Sequence, residues 1–387
     1  MLGPMPSPEV VAAEARDVLQ LAKRDRAAAA RALDALPLER QVELVCETPV
    51  ARRAALLELL SRPELVIPAL PEAELCFTAK AVGLADAGWI LEHATDEQMV
   101  ACLDLDAWRE VAPDRASLDA WLVAFADAGP ETLVRAAHAL DPELLVLGLK
   151  ARIEVWLKPN DDDWVAPTGA HTLEGQFWFR AQRDDDDLEE IQTLLRSLFE
   201  SDYWLYFRLM QGVIWELEGE TEEWALRWRA GRLEDLGFPP WDEAMRIYGY
   251  LRASKRAEIP PQGRVLDVDA WRLPIWLPQL PAGVDARFSL FRAFEKLSDE
   301  ERRSAFYAFI ALANKVAVAD RLSLGDAESI PSGIEKAASV ASRGLEFVAA
   351  ANGLDGTEVV RRVSLERLFR VGASLDRAER PPVASEP

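Results

Sequence analysis

Lys315 stands beside Asn314 in an otherwise apolar run, AFYAFIALANKVAVAD. A lysine withdrawn from water loses solvation of its ammonium, so its pKa falls and the neutral amine becomes a nucleophile or general base. The same side chain can instead snorkel to a carboxylate and stay a cation; Asp320, Asp326, Glu335 and Glu346 are the nearby candidates. Asn314 makes a similar demand, because a buried amide left without partners costs about 1–3 kcal/mol. A second group lies in RAGRLEDLGFPPWDEA, where Arg229, Arg232, Asp235 and Glu243 gather around Gly237 and a Pro-Pro pair. The planar guanidinium fork matches phosphate or carboxylate, so these arginines can clamp an anionic ligand. They can equally lock two helices together by pairing with Asp242 and Glu243, and this structural reading is preferred. Arg229, Arg232, Asp235, Glu243, Asn314 and Lys315 are therefore the candidate ligand-binding residues, with no catalytic residue assigned.

A third pattern is a repeat. LDLDAWR at 103–109 returns as LDVDAWR at 266–272, with a shorter LDAWL at 118–122. Two carboxylates at i and i+2 offer a cation two ligands, but magnesium or calcium needs more oxygens than the neighbouring residues supply at a recognisable spacing. The better expectation is that Asp104 or Asp106 caps the helix that carries Trp108. The acidic runs Asp161–Asp163 and Asp184–Asp187 lack the central Gly and terminal Glu of a calcium loop and read as solvated loops. His93, His138 and His171 stand in no E-x-x-H or H-x-x-x-H spacing, and Cys46, Cys76 and Cys102 lie in apolar or helical contexts as small buried hydrophobes. No G-x-S-x-G, phosphate loop or G-x-G-x-x-G occurs. No cofactor and no metal are expected.

The elements that must position these residues are helices. Up to about residue 150, Pro8, Pro37, Pro49, Pro63, Pro71, Pro130 and Pro142 stand where helices can begin, several followed by Glu, which suits the positive helix end. Thr95 and Gln98 form a capping box. Pro37, Pro49 and Pro63 leave room for helices of about ten residues with tight turns, too short to bury an apolar stripe alone. Stacked on each other they make a superhelix. The stretch LDALPLERQVELVCETPVARRAALLELL resembles, in its rhythm, the short-helix superhelices of the flagellar motor switch protein and of the cytosolic N-terminal domain of MgtE-type magnesium transporters. Taken with Arg227–Leu251, ANKVAVAD and GLEFV, the chain is similar over most of its length to a bacterial family labelled only as a domain of unknown function. That resemblance implies a fold and no activity.

Near residue 151 the period shortens to two: Ile153, Val155 and Leu157 alternate with polar positions, as do Leu173, Gly175, Phe177 and Phe179, so a β-hairpin is expected. Helices resume with Asp187 and Glu190 as a capping box. YWLYFRLMQGVIWEL, apolar nearly all round, is expected inside a bundle. Ser298 and Glu301 cap another helix, against which Ile334–Ala350 and Val359–Phe369 pack. The expected organisation is all-α: a short-helix superhelix over 1–150, a β-hairpin and acidic connector over 151–185, a helical bundle over 186–376 and a disordered tail over 377–387.

A net charge of −22, from 44 Lys and Arg against 66 Asp and Glu, repels phosphate backbones and anionic headgroups, so neither nucleic acid nor a membrane is an expected partner. The N-terminus lacks a basic start followed by an apolar block, which predicts a cytoplasmic protein. Thirteen tryptophans, many beside acidic residues as in EEWALRW and PPWDE, exceed what two helical cores need, although core burial is expected for most. The leading expectation is a cytoplasmic interaction or scaffold protein with protein partners. The alternatives are a regulatory module responsive to divalent cations, or an enzyme built on the Arg229–Glu243 and Lys315 regions.

Overall fold

A computed structural model describes residues 8–161, 163–183, 188–259, 287–327 and 329–379. The second LDVDAWR copy and the acidic run at 184–187, with the expected cap Asp187, lie outside the described residues. Those described are all-α, joined by two small antiparallel ribbons. They fall into two compact units, one from Glu14 to Gly231 and the other from Arg232 onward together with the start of the chain.

Proline sets the beat of the first unit. α1 (Pro8–Ala22), α5 (Pro63–Val66), α10 (Pro130–Ala139) and α11 (Pro142–Arg152) begin on a proline, whose missing N–H would have no helical partner there. Pro37 and Pro49 stand one position earlier, as the caps of α3 (Leu38–Glu47) and α4 (Val50–Leu57), and Pro71 does the same for α6 (Glu72–Val82). Side-chain caps start two others: Asp25 opens α2 (Arg26–Asp34), and the Thr95–Gln98 capping box opens α8 (Asp96–Asp106). α7 (Gly88–Leu91) and α9 (Arg115–Asp127) complete the series. The even-numbered helices stack in a row, α4 on α6, α6 on α8 and α8 on α10. Leu44, Leu57, Ile67, Leu75, Met99, Leu103 and Trp121 fill the space between helices too short to stand alone.

Gln98, Arg53 and Glu74 are polar side chains inside this stack that find partners. Gln98, 2% exposed, donates to the carbonyls of Ile67 and Leu70 at 2.9 and 2.7 Å and stitches the 63–70 segment to α8. Arg53 and Glu74, both buried, form an ion pair, and Arg53 also donates to the carbonyls of Thr48 and Cys46. The three cysteines are buried and free, and burial pushes the Cys46 and Cys102 thiols well up, which makes them poor nucleophiles.

After α11 comes the expected hairpin. β3 (Ile153–Leu157) and β4 (Phe177–Ala181) pair antiparallel with Val155 opposite Phe179; a shorter ribbon, β1 (Trp108–Arg109) with β2 (Ala112–Pro113), precedes α9. Phe177 and Phe179 are buried. α12 (Glu189–Ser201) and α13 (Tyr203–Trp215) follow, with Leu188 at the α12 cap making no side-chain cap bond. Phe177 meets Tyr206 and Phe207 of α13 edge to face, at 6.2 and 5.5 Å between ring centroids. α13 is not an internal helix, contrary to its composition. It buries Tyr206, Leu209, Met210 and Gly212 against α11, α12 and β3, and leaves Trp204 76% and Trp215 54% exposed. The close approach to α11 needs Gly212, where a Cβ would meet Val146 at 2.5 Å.

α14 (Glu218–Asp235) ends within the second unit. Gly237, at φ +84°, terminates it: Phe238 N–H donates to Leu233 O and Gly237 N–H to Glu234 O, the paired bonds of a left-handed helix stop. Pro240 then caps α15 (Trp241–Ala244), with Asp242 and Glu243 in its first turn as expected. α16 (Ala253–Arg256) and α17 (Ser289–Glu295) precede α18 (Asp299–Ala319), which opens with the expected Ser298–Glu301 capping box. α19 (Ser329–Asn352) is the hub, contacting α17, α18, α20 (Gly356–Arg362) and α21 (Leu365–Glu379). The expected Val359–Phe369 segment is two helices, because Val363 is extended between α20 and α21. α21 continues to Glu379, into the stretch expected as tail.

Candidate functional site

Of the candidate residues, Lys315 and Glu243 are brought together as an ion pair. Arg229 donates from Nε to the Asp104 carbonyl at 2.7 Å and lies 4.8 Å from the Trp108 ring centroid, so it closes the C-terminal end of α8. Arg232 is half-buried in α14, and Asp235 is exposed at its end. Asn314, 3% exposed, donates to the Gly237 carbonyl at 3.1 Å. Lys315 lies between Glu366 at 2.7 Å and Glu243 at 3.1 Å, not near the carboxylates that its sequence neighbourhood offered. Burial works against its charge, but the bonds from Glu366 and Glu243 outweigh it and raise the pKa above the ordinary lysine value. Lys315 is thus a fixed cation at neutral pH, the opposite of an activated amine.

Asp106, in the first copy of the repeat, also does something other than capping a following helix. Asp106 is the last residue of α8, and Trp108 belongs to β1, so there is no following helix start at Trp108 to cap. The Asp106 carboxylate accepts from the Trp121 indole at 2.9 Å and pairs with Lys80, which ties α6, α8 and α9 together. Among the described residues no three His, Cys, Asp or Glu side chains converge on one point.

What the structure adds is a surface. Among the described tryptophans only Trp121 is fully buried, while Trp204, Trp215, Trp224, Trp228 and Trp241 are exposed. Trp224 and Trp228, at i and i+4, share one face of α14 and stack with ring centroids 6.4 Å apart. Arg227 lies 5.2 Å from the Trp224 ring centroid. Exposed Glu220 and Glu223 flank the pair, and Gly231 continues the face with open space where a side chain would stand. Thr221 and Ala225, both buried, adjoin the indoles around the helix, and Glu222 and Leu226, half-buried, lie on the side away from them, so the exposed indoles face solvent. Arg115 of α9 fixes the start of α14 through Glu218 and Glu222. Trp215 and Leu217, exposed at the α13–α14 corner, lead into it. EEWALRW held the signal for this face in its acidic flank and its tryptophan spacing.

Fold and surface together define an all-α protein of two helical units that carries an exposed aromatic, acidic helix face. A family model matches residues 30–378, and the chain belongs to that family, the family of unknown function DUF6178. No curated protein matches it, and no solved structure does.

Proposed function

We propose that this is a protein-binding module whose docking face is α14, with Trp224 and Trp228 as anchors. The observation that carries the reading is the stacked pair, 48% and 50% exposed, on a helix whose adjoining Thr221 and Ala225 are already buried. Large aromatic rings left in water are the residues that dominate binding energy when a partner covers them. Glu220 and Glu223 beside the rings, on a chain of net charge −22, select a partner that presents Arg or Lys among apolar side chains. Cations of that partner can lie over the indoles while the flanking carboxylates neutralise them. A cytoplasmic scaffold role fits three unpaired thiols and a helical stack with extended surface, and is part of the proposal.

The test is capture from the native cell with the full chain as bait, followed by mass spectrometry, beside a Trp224→Ala/Trp228→Ala variant. A stoichiometric basic partner retained by the wild type and lost by the variant supports the reading. Each substitution is expected to cost about 2 kcal/mol of binding or more, without altering the circular dichroism spectrum. Equal recovery by both baits, or recovery of the chain alone, overturns it. The divalent-cation and enzyme readings draw on no comparable arrangement: Lys315 is closed between two glutamates, and Arg229 is spent on α8.

A further inference from the structure

Arg53 and Arg256 are both buried, and they hold different things. Arg53 has the Glu74 carboxylate. Arg256, 7% exposed, has neutral acceptors: its Nε donates to the Leu251 carbonyl at 3.0 Å and one terminal nitrogen to the Tyr250 hydroxyl at 3.1 Å, with the guanidinium 5.5 Å from the Tyr250 ring centroid. Among the described residues its other terminal nitrogen has no acceptor and no carboxylate pairs with it. A guanidinium taken out of water without an anion is costly. The turn around it gathers more positive charge. Lys255 N–H donates to the Arg252 carbonyl at 2.8 Å, so Arg252, Lys255 and Arg256 share one tight turn, with Arg252 and Lys255 exposed. Lys255 pairs with Glu258 at 3.1 Å, while Arg252 meets no carboxylate among the described residues. α21 holds the turn in place: Arg367 donates to the carbonyls of Lys255 and Glu258 at 2.8 and 2.9 Å, and Ser374 Oγ accepts from Leu251 N–H at 2.9 Å. Tyr250, 56% exposed, accepts from Arg256 and keeps its own phenolic proton to donate.

We propose that this turn binds a small phosphate monoester, whose oxygens accept from Arg252, Arg256 and the Tyr250 hydroxyl. All three donors are side chains, and the guanidinium fork matches phosphate oxygens two at a time. A dianion supplies the counter-charge that Arg252 and Arg256 both lack. The rest of the chain, at a net charge of −22, repels a long polyanion, so a single compact group is favoured over nucleic acid. This site is independent of the α14 face and does not rest on it.

The experiment is a titration of the full chain with methyl phosphate at about pH 8, where the monoester is a dianion, read by the ring-proton resonances of Tyr250. Sodium chloride at equal ionic strength and dimethyl phosphate, a monoanion, serve as controls. Saturable shifts are expected with methyl phosphate, and an affinity lower by about tenfold or more for dimethyl phosphate. Arg252→Gln, at an exposed side chain, is expected to lose about tenfold or more in affinity with the fold intact. Arg303→Gln, exposed on α18 and outside the turn, is expected to lose nothing. Absent or unsaturable shifts in the wild type overturn the proposal, as does an equal response to dimethyl phosphate or to chloride. Undiminished affinity in Arg252→Gln, or an equal loss in Arg303→Gln, overturns it too.

Discussion

Arg53 keeps its charge inside the first unit because three acceptors surround it: the Glu74 carboxylate and the carbonyls of Thr48 and Cys46. A buried guanidinium tolerates no missing partner, since its desolvation is already complete. Glu74→Ala is therefore expected to destabilise the protein by about 3–5 kcal/mol, read as a fall in the urea midpoint at unchanged slope. An Arg53→Met/Glu74→Leu double variant should recover much of that loss, because no uncompensated charge remains. Recovery equal to the single variant would mean that Arg53 finds other solvation. Lys315 is paired as a cation, as one of its two readings expects, but with carboxylates that its sequence neighbourhood does not offer. Its partners, Glu243 and Glu366, stand 72 and 51 residues away in sequence, and ion pairs across such separations leave no trace in spacing. The buried thiols, by contrast, were legible, because ELVCETP and ELCFTAK place cysteine on the apolar face of a helix.

Helix starts were the most legible feature of the fold. Proline, Thr95–Gln98 and Ser298–Glu301 act through bonds within four residues, so local sequence decides them. Whether a helix face is covered is a property of its neighbours, and here composition misled: α13 looks internal, yet Trp204 and Trp215 reach solvent. The α19–α21 pair was equally hidden. A Cβ on Gly344 would overlap the carbonyl oxygen of Leu368, and one on Gly372 that of Val340, so each helix lays backbone against the other at its glycine. Backbone cannot step aside as a side chain can. Gly344→Ala and Gly372→Ala are each expected to lose about 2 kcal/mol or more despite the better helix propensity of alanine. Gly231→Ala, where the space is open, should instead gain about 1 kcal/mol. Thermal unfolding of the three variants checks both signs; a stabilised Gly344→Ala would refute the close crossing.

For the whole molecule, the excess of carboxylates makes acid the informative variable. The Glu301 carboxyl is pulled down from 4.5 to about 2, first by Arg361, which donates at 2.8 Å, and then by the Ser298 backbone of its capping box. A depressed folded value means stability that is present above pH 4.5 and lost as pH falls towards 2, where the folded carboxylate also protonates. The melting temperature is expected to drop through that interval, and Glu301→Gln, lower at neutral pH, should drop less; parallel curves would exclude the pair as a contributor. The distribution of indoles has a further consequence. Among the described indoles all but Trp121 are half-buried or exposed, so the light these emit comes largely from rings in contact with water. Acrylamide should dim most of that emission in the native state, and a protein seated over Trp224 and Trp228 should shift it to the blue and shelter it. The molecule thus carries its own optical gauge of occupancy, readable without a dye or a tag.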